Sequence, residues 1–332
     1  MIIIGYSALQ FWRYSRLKYN SSQIQKVEAT YQDGAFPKKT LKQNYKIHLP
    51  LDVAYGPRCR QRNTSVKFHK TRTDNGKIPA YQLFGNELVC SPEYCLFSLS
   101  HNLTTTELSL IASELCASFS YRQIDGSFEL YNFKPATSIN KIEAFAKKYL
   151  SCSAQKKFMN KLKYTIENAL SPAEIVLALK LIAHRNSGGY EFPAPLLNHK
   201  IKVRQGVSKM LDKYAGSITE IDTSQLTHMR PDLYWPKHKL AVEYDSNYSH
   251  ASNEQLNRDS VRRSLLKSNG IDVITVTHDQ LFDYRKFDLV ASSIAKAMGK
   301  RRKIQELKAE PFEKFILNRK LKDYLITGDL SF

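Results

Sequence analysis

Between Asp232 and Val276 the apolar residues change period in an order that calls for a mixed sheet with a helix laid against it. Two short strands, Asp232 to Trp235 and Leu240 to Tyr244, flank the tight turn Pro236-Lys237-His238-Lys239, so they are expected to pair antiparallel. A charged helix, Asn253 to Asn269, follows and Gly270 stops it. Ile271, Val273, Ile274 and Val276 then make a strand of mostly β-branched residues. Upstream, Ser171-Pro172 opens a strongly apolar helix carrying Glu174, and the Gly188-Gly189 pair ends it. Helix, strand, strand, helix, strand in that order implies an α/β domain over about residues 165–298, with a closing helix near Leu289 to Met298.

The chain has 332 residues, which at about 150 residues per domain suggests a second domain ahead of this one. Residues 1–150 read as a smaller α+β domain. A short strand, Ile2 to Ile4, leads into a helix capped by Ser7, and 21–44 is polar and aperiodic, hence a loop. Alternating stretches around Ile47 to Val53 and Val66 to Phe68 read as strand, turn, strand, with a cationic turn whose Arg58, Arg60 and Arg62 form a candidate nucleic-acid-binding, substrate-guiding patch. Ser91-Pro92 starts a helix through Leu99, Thr104 and Glu107 match a capping box before Leu108 to Phe119, and a third helix covers about Ser138 to Leu150. The lysine-rich stretch 151–164 reads as the junction, and 299–332 as a basic helical tail able to dock a protein partner.

Charge narrows the range of partners. Lys and Arg number 50 against 31 Asp and Glu, a formal net charge of +19, which concentrates polyanions and favours nucleic acid. No apolar run approaches the roughly 20 residues of a bilayer span, and neither a basic amphipathic helix nor a lipidation signal stands out. The opening MIIIGYSALQFW lacks a basic region before its isoleucines, so a cytoplasmic location is expected. The 5 cysteines form no Cys-x-x-Cys pair and read as reduced, mostly buried thiols.

The chemistry is concentrated on the hairpin. Asp232 and Glu243 sit on adjacent strands where they can face each other, and like charges so placed are costly unless a cation lies between them. Carboxylate oxygens, with water and a substrate phosphate completing an octahedron, suit Mg²⁺ or Mn²⁺. Such an ion lowers the pKa of bound water and stabilises a phosphodiester under attack. On the charged helix, Arg258 and Arg262 are one turn apart and can grip successive phosphates; alternatively Asp259 pairs with Arg262 or Arg263 on a solvated face. Val261, Leu265 and Leu266 are expected to face the sheet.

Taken together, Ser171-Pro172-Ala173-Glu174, Arg230-Pro231-Asp232, Val242-Glu243-Tyr244-Asp245-Ser246, His250, the run Arg258 to Arg263 and Gly270-Ile271-Asp272-Val273 resemble the PD-(D/E)XK nuclease superfamily. Within it they are most similar to the very-short-patch-repair-like endonucleases. The resemblance implies a restriction-endonuclease-like core that cuts nucleic acid, DNA favoured. Asp232 and Glu243 would be metal ligands, the Tyr244 carbonyl a third, and Glu174 a helix carboxylate reaching the same ion or its water. Position 245 departs from the pattern: the superfamily usually has Lys there, whereas Asp245 would be a further ligand. His250 would act as general base or proton donor.

Each of these residues also has a plainer role. Asp232 and Glu243 can be strand-end carboxylates, Glu174 an acid favouring its helix dipole, Asp245 a turn residue, His250 a loop histidine and the Arg58 turn a solvated one. In the first half, Ser7 to Arg13 and the block Ser91 to Cys116 resemble the C-terminal module of bacterial abortive-infection antitoxins, which implies a defence setting. A non-catalytic nucleic-acid-binding regulator, or a nuclease subunit active only with a partner, is the rival expectation.

Overall fold

The computed structural model describes residues 2–14, 25–29, 50–55, 66–70, 73–74, 76–83, 87–124, 127–204, 226–245, 253–300 and 317–324. The chain divides into two compact units, Met1–Ser171 and Pro172–Phe332.

In the first unit, β1 (Ile2–Ile3) runs straight into α1 (Gly5–Tyr14). Then come β2 (Gln25–Ala29), β3 (Leu51–Tyr55), β4 (Val66–Lys70), β5 (Ile78–Gln82) and β6 (Leu88–Cys90). These strands form one sheet in the order β2-β5-β6-β1-β3-β4. The short β1 lies inside it because Ile2 and Ile3 are β-branched and almost fully buried between β3 and β6. Two helices follow, α2 (Pro92–Leu99) and α3 (Thr105–Leu115), then the hairpin β7 (Phe119–Ile124) and β8 (Ser127–Asn132), then α4 (Ile139–Tyr149) and α5 (Cys152–Lys161). The expected caps form: the Ser91 hydroxyl accepts from the Tyr94 N–H, and Thr104 and Glu107 close a capping box.

Several expectations for this unit are corrected. Ser7 does not cap α1, which starts at Gly5; its hydroxyl instead accepts the Asp52 N–H at 2.8 Å, tying the helix to β3. The stretch read as a loop contains β2, which pairs antiparallel with β5. β3 and β4 pair parallel, so they are not a hairpin, and Arg58, Arg60 and Arg62 fall outside the described residues. The supposed junction is largely α5, which buries Phe158 and sends Lys161 Nζ to the carbonyls of Ser100 and Leu103. The boundary between units therefore falls at Ser171 and Pro172.

The second unit opens with α6 (Pro172–Ile182). Strands β9 (Leu196–Leu197), β10 (Ile201–Arg204), β11 (Leu226–Met229), β12 (Leu233–Trp235) and β13 (Leu240–Asp245) follow, then α7 (Asn253–Ser268), β14 (Asp272–Thr277), α8 (His278–Phe282) and α9 (Tyr284–Ala297). The sheet order is β14-β13-β12-β9, with β12 and β13 antiparallel and β13 and β14 parallel, and β10 and β11 form a separate pair. The mixed α/β architecture expected from the sequence is present. Leu266 of α7 packs with Ile201, Val203, Tyr234, Ala241 and Ile271, which fixes the helix over the hairpin. Val261, expected on that face, is instead 61% exposed.

The helix ends also differ in detail. Gly270 at φ +72° stops α7 as expected, whereas α6 ends at Ile182, before the two glycines. Gly189 is required for another reason: a Cβ there would meet the Ala183 carbonyl oxygen at 2.2 Å. α9 begins at Tyr284, earlier than expected, because Asp283 caps it by accepting from the N–H groups of Arg285 and Lys286. Part of the supposed tail, residues 317–324, is a helix that buries Leu317, Leu321 and Tyr324, and Asn318 donates to the Phe282 carbonyl. The rest of the stretch from 301 lies outside the described residues.

Among the described residues no helix is long and apolar enough to cross a membrane. Cys90, Cys95 and Cys116 are free and buried and Cys152 is free and exposed, while Cys59 lies outside the described residues. Burial pushes the Cys90 and Cys116 thiols up, which leaves them poor nucleophiles.

Candidate functional site

The site is built where α6, the segment entering β12 and the end of β13 meet. The register of β12 and β13 pairs Leu233 with Val242, and one step further stand Asp232, just before β12, and Glu243. The Tyr244 N–H donates to Asp232 Oδ2 at 2.7 Å, which pins the carboxylate to the neighbouring strand. Glu174, in the first turn of α6 and 6% exposed, accepts at Oε2 from Asn198 Nδ2 at 2.5 Å. Asn198 also gives its N–H to the Asp232 carbonyl at 3.1 Å, and its φ of +49° is one that asparagine tolerates better than most residues. One residue, through its side-chain amide and its backbone N–H, thus ties Glu174 to the backbone of Asp232.

The electrostatics follow from that packing. Burial pushes the Asp232 carboxyl up to about 7, with the charge of Glu174 and, less strongly, Glu243 acting the same way. The Tyr244 N–H and the Arg262 guanidinium pull it back only in part. Arg262 Nε lies 2.9 Å from Glu243 Oε1, and Nη2 reaches the same oxygen at 2.9 Å and the Arg230 carbonyl at 2.6 Å. The phosphate-gripping role expected of Arg262 is therefore not what this arrangement displays: the guanidinium is bound to a site carboxylate, and the side chain of Asp259, its expected alternative partner, lies outside the described residues.

Glu174, Asp232 and Glu243 are brought together as anticipated. Tyr244 holds Asp232 through its N–H, and its phenol meets His278 Nδ1 at 3.0 Å, with burial and then Asp245 raising the phenol pKa. Asp245 stands further along β13, opposite Thr277 of β14. His250 lies outside the described residues, and of Arg258 only the backbone in α7 is described.

A divalent cation suits these donors in type, since they are hard carboxylate oxygens, buried and short of positive charge. The fit is incomplete in arrangement. Among the described residues no group of three or more His, Cys, Asp or Glu is disposed to hold an ion, and Glu243 is engaged by Arg262. Asp232 and Glu174 are the donors in place, and Glu243 joins them only if its guanidinium partner lets go.

Sequence reasoning missed Asn198 and the Arg262–Glu243 pair. Asn198 lies in a stretch without period, and no local pattern links it to Glu174. Arg262 was visible as a basic residue on a helix, but which acid it meets depends on how α7 docks on the sheet. Comparison with protein-family models, curated proteins and solved structures returns no match for this chain.

Proposed function

We propose that the second unit hydrolyses phosphodiester bonds in nucleic acid, DNA favoured, with Mg²⁺ or Mn²⁺ held by Asp232 and Glu243 and with Glu174 beside them. The observation that carries this reading is the convergence of buried Glu174 and half-buried Glu243 on Asp232, whose carboxyl is driven up to about 7 by burial and like charge. A folded protein keeps such a cluster at a cost in stability, and a substrate-linked cation would relieve it.

When bound, the ion would lower the pKa of a water and offset charge on the scissile phosphate. The chain's own residues set the stage. Tyr244 and Asn198 fix Asp232 and Glu174 through their N–H groups, so neither carboxylate has to be ordered at the moment of reaction. Asp245 cannot supply the positive charge that Lys provides in the nucleases this sequence resembles; it would add a further acid along β13. The first unit's resemblance to antitoxin modules is the ground for a bacterial defence or mobile-element setting.

A second reading is favoured by one observation: Glu243 is already tied to Arg262 without an ion, as it would be in a binding regulator that does not use this acid for catalysis. Cleavage of supercoiled plasmid, single-stranded DNA and RNA, with EDTA, Mg²⁺ or Mn²⁺, separates the two. Metal-dependent cutting by the native chain is expected to fall by at least about 10²-fold in Asp232→Asn and in Glu243→Gln. Absence of cutting with every metal, together with salt-sensitive binding equal in all three proteins, would put the regulator, or a nuclease subunit active only with a partner, in its place.

A further inference from the structure

We infer that Arg262 is a resident counter-cation that holds Glu243 until a nucleic-acid phosphate takes the guanidinium, so that metal loading and nucleic-acid binding are coupled through this side chain. The inference rests on the metal-dependent reading above and adds to it how the site is switched on.

The geometry is that of an exchangeable pair. Both contacts to Glu243 fall on Oε1, from Nε and Nη2 at 2.9 Å each, so the carboxylate is not gripped by a fork across its two oxygens. The remaining contact goes to a neutral acceptor, the Arg230 carbonyl, at 2.6 Å. The pair stands at the edge of the site: the Arg262 side chain is 38% exposed and that of Glu243 18%. A phosphodiester from solvent can therefore reach the guanidinium, and its two free oxygens match the planar donor set better than a single carboxylate oxygen does.

The backbone on which Arg262 rides is held in place. Leu266, one turn further along α7, is fully buried, so release of Glu243 requires a rotamer change and no shift of the helix. Val261 beside it is 61% exposed, which puts this stretch of α7 on the solvent side. A divalent ion needs the carboxylate that the guanidinium now neutralises, and two cations on one carboxylate repel. Drawing Arg262 onto a phosphate removes that competition. By linkage, the bound ion then tightens nucleic acid by the same factor by which nucleic acid tightens the ion.

The test is a Mn²⁺ titration of the full chain, followed by electron paramagnetic resonance of the free ion, alone and with saturating phosphorothioate duplex oligonucleotide. The native chain is expected to bind Mn²⁺ about tenfold more tightly with the oligonucleotide than without it, within the usual range of coupling between sites. Arg262→Gln is expected to bind about tenfold more tightly from the start and to gain little from the oligonucleotide. Arg262→Lys, which keeps the charge but loses the planar donors, is expected to fall between them; it carries the comparison if a thermal melt shows Arg262→Gln unfolded.

Glu243→Gln and Asp232→Asn keep two failures apart. If both lose Mn²⁺ while Arg262→Gln binds it no better than the native chain, the metal site stands and the inference about Arg262 is overturned. If both bind Mn²⁺ like the native chain, or if native and Arg262→Gln alike bind none, the metal-dependent reading falls and this inference with it.

Discussion

Lys180 is a buried cation outside the candidate site. It is 4% exposed on α6, donates to the Leu281 carbonyl and to Asn318 Oδ1 at 2.6 Å, and lies 4.0 Å from the Phe287 ring centroid. Burial lowers its pKa from 10.5 to about 7, and the acids facing it, Asp288 and Asp283, oppose this only in part. The unfolded chain therefore binds more protons between about 7 and 10.5, so stability rises with pH across that window, and below it the cost of the buried ammonium is felt in full. Relative to Lys180→Met, the native second unit is expected to gain roughly 2–4 kcal/mol between pH 7 and 10. Urea unfolding followed through Trp235, in a Trp12→Phe background, checks this; parallel pH profiles would show that Lys180 does not titrate there. No local pattern around Lys180 announces any of this. Its lysine falls in an apolar helix, and the partner that holds it, Asn318, lies far along the chain in a helix that sequence reading left as a tail.

At the scale of the element, caps were the most legible feature because their physics spans a single turn. Thr104 and Glu107 exchange both hydrogen bonds of the capping box at the head of α3, a helix almost wholly buried. Thr104→Ala is expected to cost about 1 kcal/mol in first-unit stability, and Thr104→Ser little, as read from denaturant midpoints. A loss equal in both variants would mean that packing of the Thr104 methyl, not the cap, is what counts. Where an element is defined by a distant partner, local reading fails. α5 has few apolar residues, so its composition resembles a junction, yet Phe158 is buried and Lys161 caps carbonyls at Ser100 and Leu103. β2 exists because Val27 meets Ala80 across the sheet, and β3 and β4 run parallel although they are close in sequence. Pairing partners are chosen by burial of the whole sheet, which no window of a few residues contains.

For the molecule as a whole, the formal charge of +19 makes a prediction independent of any active site. Binding to a random-sequence duplex is expected to weaken by about 10³-fold or more between 50 and 200 mM salt if six or more phosphates are contacted. A flat salt profile in a fluorescence anisotropy titration would mean that the excess charge is solvated surface. Arg262→Gln is expected to reduce the slope by about one phosphate contact, since the guanidinium inferred to take a phosphate is gone. What the sequence by itself determined is of this additive or short-range kind: net charge, the caps at Ser91 and Thr104 and the stop at Gly270, the Asp232–Trp235 and Leu240–Tyr244 hairpin with its mixed α/β surroundings, and the approach of Asp232 to Glu243 that hairpin register enforces. Only the tertiary structure decided that Asn198 bridges Glu174 and Asp232, that Arg262 sits on Glu243, and that residues 317–324 close over Lys180. The reason is physical. Periodicity and capping act between residues a turn apart, whereas the partner of a buried charge is set by which faces pack together, and that choice is made by the whole core at once.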